Sequence, residues 1–151
     1  MSPRTAIASL AALLVSCAFH ETGLVSHEEN GTILERMDGR RFHLVLPPTA
    51  RALSYLDGHT ADVWGNSWFH HVRVTDWKIP EGLHGMATWV GTLEERGIQI
   101  GLLDRNSGAY YLVDADAAES LAAFAGKPVL LEGYVDGPHR VRVLYFRVLA
   151  D

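Results

Sequence analysis

Most of this 151-residue chain is written twice, and that repeat limits the folds open to it more than any single motif does. Ala52-Leu53-Ser54-Tyr55-Leu56-Asp57-Gly58 runs into His59–Val63, Trp64 and Gly65. Ser120-Leu121-Ala122-Ala123-Phe124-Ala125-Gly126 runs into Lys127–Leu131, Glu132 and Gly133 with leucines, a large apolar residue and both glycines in step. Beyond a short turn, His70–Ile79 and His139–Val148 share a Val-Arg-Val centre. Upstream, Gly23, Gly39 and Gly58 match Gly91, Gly108 and Gly126, at intervals of sixteen and nineteen against seventeen and eighteen. Two unrelated β-rich halves would not keep so many glycines and apolar positions in step, so the pattern points to duplication of one unit over about 20–80 and 88–150. Glu81–Ala87 would be the linker.

Each copy reads as strand, strand, strand, helix, strand, strand. The second predicts strands at Thr88–Arg96, Ile98–Leu103, Ala109–Val113, Val129–Val135 and Val141–Leu149. Asp116-Ala117-Ala118-Glu119 reads as an acidic capping box with Asp116 as the cap, opening a short helix closed by Gly126. The first copy predicts strands at Gly23–Glu28, Thr32–Met37, Arg41–Leu46, Ala61–Trp64 and His71–Ile79, with a helix at Ala50–Leu56.

That order resembles the OB-fold, and the line Phe124-Ala125-Gly126-Lys127-Pro128-Val129-Leu130-Leu131-Glu132-Gly133 is similar to small bacterial OB-fold families. The first copy departs from it at Gly58-His59-Thr60, lacking both the Lys and the Pro. The resemblance implies a mainly β chain of two tandem five-stranded barrels, each with one short helix between its third and fourth strands. The units would be 23–80 and 88–151. A lone barrel of about 60 residues buries too little surface to be comfortable, so the two should pack together.

The N-terminus reads as an address. Arg4 precedes the uncharged run Ala6–Val15, which is too short for a membrane span of roughly 20 residues but suits a secretory core. Leu14-Val15-Ser16-Cys17 resembles the lipobox of bacterial lipoproteins. The resemblance implies a signal peptide at 1–16, lipidation at Cys17 and a lipidated tether at 17–22. With Ala18 rather than Asp after the cysteine, it implies the outer membrane, facing the periplasm. One cysteine excludes an internal disulfide and any cysteine-built zinc site.

Eighteen acids against thirteen Lys and Arg give a net charge of −5, which argues against a general nucleic-acid binder. There is no Gly-x-Ser-x-Gly elbow, phosphate loop or dinucleotide fingerprint, so no catalytic residue and no cofactor is expected. Eight histidines, seven of them in the first 84 residues, form no helical pair or His-Glu-x-x-His box. Adjacent strand residues His70 and His71 point to opposite faces, so no metal is expected. The expected function is a lipid-anchored, non-catalytic envelope module binding a protein, peptide or glycan, with Trp68, Phe69, Arg41 and Tyr111 as contacts. The alternatives are a single-strand nucleic-acid binder and a periplasmic metal-binding protein using the His-rich first half.

Overall fold

A computed structural model describes residues 16–151; the signal-peptide reading falls almost wholly on 1–15, outside the described residues. The chain is mainly β, in two closed five-stranded barrels. The first is built from β1 (Cys17–Glu28), β2 (Gly31–Glu35), β3 (Arg41–Val45), β4 (Thr60–Trp68) and β5 (His71–Lys78). The second uses β6 (Ala87–Arg96), β7 (Gln99–Asp104), β8 (Tyr110–Val113), β9 (Pro128–Val135) and β10 (Arg140–Val148). The strands are ordered β1-β2-β3-β5-β4 and β6-β7-β8-β10-β9, each barrel having one parallel pair, β3 with β5 and β8 with β10.

The matched glycines have matched structural reasons. Gly39 and Gly108, and Gly58 and Gly126, all stand at positive φ, where a side chain would be strained. Gly65 and Gly133 have extended backbones, but a Cβ on either would overlap the carbonyl oxygen of Arg73 or Arg142 on the next strand. Gly65 adjoins an irregularity in the β4–β5 register, and Gly133 pairs with Val143 at the edge of a shift before Tyr145. These are β-bulges, which bend a strand hard enough to help close a small barrel.

Several local expectations are corrected. β1 begins at Cys17 rather than Gly23, so residues 17–22 are paired strand, with Cys17 opposite Ser67 and Glu21 opposite Val63. Phe19 packs edge-on against Phe42 at 4.9 Å, and Arg36 bonds Glu21 at 2.9 Å, which gives this extension packing and ionic partners of its own. The first helix is a 3-10 helix, Pro48–Tyr55; it starts at Pro47-Pro48 with no side-chain cap and no acid in its first turn. In the second copy the cap is Asp114, not Asp116, and α1 covers Ala115–Leu121 before a 3-10 turn at Ala122–Phe124. Asp114 accepts from Ala117 N–H and, through its other oxygen, from Val143 N–H at 2.8 Å, a bond only the folded barrel provides. Asp116 instead lies 3.4 Å from Arg142.

Alternation along β6 and β9 turns Leu93, Val129 and Leu131 into barrel two and leaves Val90 and Leu130 on its outside. Yet Val90 and Leu130 are buried, because they join Trp77, Ile79 and the interior of barrel one in a single apolar cluster with Leu149. Burial of such side chains stabilises by roughly 2 kcal/mol each. Thr88 hydroxyl donates to Ile79 carbonyl at 2.7 Å, and Arg147 to Asp57 carbonyl at 3.0 Å, across the same seam. The linker folds over barrel two, where His84 backbone N–H and Nδ1 reach the fully buried Glu132 carboxylate at 2.7 and 3.1 Å. Among the described residues no helix is long and apolar enough to cross a membrane.

His59 is buried with neither ring nitrogen hydrogen-bonded. Burial first, then the positive Arg147, hold its pKa below the usual 6.5. Burial pushes the Glu132 carboxyl up, but the hydrogen bonds from His84 and from Met86 backbone outweigh that and leave it below the usual 4.5. Both groups bind protons more readily in the unfolded chain, so both make stability fall as the pH is lowered. The melting temperature should be flat above about pH 6.5, fall below it through His59, and fall further below about 4.5 through Glu132. His59→Leu should remove the first decline and keep the second. Gly65→Ala and Gly133→Ala should each cost about 2 kcal/mol in urea unfolding, as overpacking against rigid backbone does.

Candidate functional site

The four contacts expected from sequence do not converge. Trp68 is the last residue of β4, paired with His71, and its ring stacks on that imidazole at 5.7 Å. His71 in turn stacks on His43 of β3 at 5.4 Å, so Trp68, His71 and His43 form one ladder across three strands. The turn itself is only Phe69-His70, because β4 runs on through Trp68 rather than ending at Trp64 as expected. Phe69 is 85 % exposed and has a φ of 52°. Arg41 stands on β3 two residues before His43, bonded to Glu28, with Glu35 at 3.5 Å. Two carboxylates therefore occupy the charge that was expected to meet a partner.

Tyr111 belongs to the other barrel. It pairs with the buried Leu102, and its half-buried ring lies 6.1 Å from Trp89 and 5.6 Å from His139. Its neighbour Tyr110 covers Gly101, donates to Glu94 carbonyl at 3.2 Å and carries the Arg96 guanidinium 3.8 Å above its ring. Neither tyrosine adjoins Trp68. Among the described residues no three ligand-type side chains converge to hold a metal, and the stacked His43 and His71 stand without a third donor.

The concave feature with the best-defined chemistry lies elsewhere, between the barrels. It is a cleft of about 630 Å3 with the 3-10 helix Pro48–Tyr55 on one wall and β6, Pro128 and the end of the chain on the other. That volume is in the range of small-ligand sites. Trp77, Val90 and Leu149 line its apolar part, and Arg51, Tyr55 and Arg105 contribute donors. Arg105 is fixed in place. Its guanidinium lies 4.3 Å over the Trp77 ring, donates to the Trp77 carbonyl and pairs with Asp76 at 3.0 Å. Arg51 is in no ion pair among the described residues. Trp77 is 1 % exposed and its indole N–H has no acceptor, an unusual state for a buried donor.

Nothing local marks the cleft, since Arg105 and Trp77 are 28 residues apart and meet only when the barrels dock.

Two outcomes separate packing from binding. Arg105→Ala should destabilise the chain by about 2 kcal/mol, through loss of a stacked cation and a hydrogen bond at the seam. Phe69→Gly should leave chemical stability unchanged or raise it by up to about 1 kcal/mol, since a bulky residue at positive φ is strained and this ring is mostly in solvent. A marked loss on Phe69→Gly would make the ring a packing element.

A scan of protein-family models finds none that matches this chain, and no curated protein matches it in sequence.

Proposed function

We propose that the chain is a non-catalytic binding module of the bacterial cell envelope, anchored by lipid at Cys17, whose two barrels are tandem OB-folds sharing one ligand cleft. The observation that carries this reading is the cleft itself. It combines an apolar wall with Arg51, which is in no ion pair among the described residues, and it exists only because two copies of the unit dock. A partner able to enter it presents an apolar group beside hydrogen-bond acceptors, as a peptide or glycan edge does. The strand order with its single parallel pair, repeated in both barrels, supports the OB-fold assignment. Against nucleic acid stands the charge of each half, six bases to eight acids over 18–80 and six to nine over 88–151.

Cys17 is exposed and unpaired, as an acylation site requires. Intact mass of protein extracted from bacterial membranes should correspond to residues 17–151 plus acyl chains, and the Cys17→Ala form should lack them. An unacylated chain beginning at Met1 would remove the anchor from the proposal. For the cleft, benzoyl-phenylalanine at Tyr55 should photo-crosslink a discrete partner in membranes, and Arg51→Glu should abolish the adduct at unchanged melting temperature. Equal labelling from position 98, on the far side of barrel two, would show that the cleft is not the binding surface.

A further inference from the structure

We propose that the β4–β5 hairpin tip of barrel one, Trp68-Phe69-His70, is a bilayer contact that seats the barrel on the membrane surface. The inference rests on the anchoring reading above and extends it from an attachment point to an orientation. β1 begins at Cys17, in register with Ser67, whose hydroxyl lies 3.4 Å from the Cys17 carbonyl. The next β4 residue is Trp68, followed at once by the exposed Phe69. Whatever attaches the chain through its N-terminal segment thus enters the membrane beside this aromatic tip.

Charge agrees with that placement. In a chain of net charge −5, residues 63–75 contain no acid and carry Arg73, His70 and His71, and residues 17–20 contain none either. A tip of this kind meets the phosphates of a lipid surface without repulsion and places its aromatic rings at headgroup depth. The second barrel supplies an internal comparison. Its corresponding turn is Asp136-Gly137-Pro138-His139, which has an acid, a glycine and no aromatic residue. Both turns hold a non-glycine residue at positive φ, Phe69 at 52° and His139 at 51°, but only barrel one puts a phenylalanine there, with its ring left in solvent. A strained, exposed aromatic beside the anchor has no packing role inside the chain, and a lipid surface gives it one.

The test uses the full chain purified from membranes and reconstituted into phosphatidylethanolamine and phosphatidylglycerol vesicles, with and without brominated acyl chains. Flotation reports attachment; bromine quenching of the Trp68 emission, taken as the difference from Trp68→Phe, reports the tip. The chain should float, and the Trp68 component should fall about twofold on brominated vesicles. Phe69→Asp should still float but largely escape quenching. Phe69→Asn, which suits the left-handed backbone, gives the same comparison if the aspartate form folds poorly. A chain that does not float overturns both the anchor and the tip contact. A floating chain whose Trp68 is unquenched, or whose quenching survives Trp68→Phe, overturns the tip contact alone and returns the hairpin to a soluble partner.

Discussion

The seam around Trp77 is what the rest of the molecule depends on. A barrel of about 60 residues is marginal by itself because too much of its surface stays wet. Here the outward-facing Val90 and Leu130 of one barrel, with Leu149, complete the apolar interior that Trp77 and Ile79 bring to the end of the other. Arg105 covers the indole ring and ties its carbonyl and Asp76 together, so the edge of the seam is polar and fixed. Docking therefore converts two copies of one unit into a body with a single larger core. The cleft is the concave edge of that junction.

The two copies have diverged where function would be expected to act. The paired glycines keep the same duties in both barrels, Gly65 and Gly133 under bulged strands and Gly58 and Gly126 at positive φ. The outer faces differ. At the repeat position where barrel one stacks a half-buried Trp64 on His20 at 4.4 Å, barrel two has Glu132, buried beneath the linker and held by His84. Their β4–β5 and β9–β10 turns differ just as sharply, one aromatic and one acidic. What closes a barrel is common to both halves, and what faces outward is not.

This division also explains what could be read from the amino-acid sequence. Glycine spacing and apolar alternation are local consequences of barrel closure, so the two five-stranded units and most strand positions were legible. Interface residues were not. Val90 and Leu130 sit in strands where any apolar residue reads as core, and only the structure shows that their core is the neighbouring barrel's. Asp114 and Asp116 are equally good caps by composition; the bond from Val143 N–H, donated from a distant strand, favours the first. Arg41 reads as a free cation at a turn, and its two carboxylate partners are brought to it by sheet register. The cleft was illegible for the same reason, being assembled from six separated segments of chain.

The central claim is that both barrels form one cooperative unit around Trp77, with the cleft as a fixed edge of it. Differential scanning calorimetry of the intact chain tests this most directly. A single transition whose calorimetric and van't Hoff enthalpies agree is the predicted result. Two separable transitions, each with about half the enthalpy of the whole, would contradict the account, because the barrels would then be independent beads and the cleft between them no site at all.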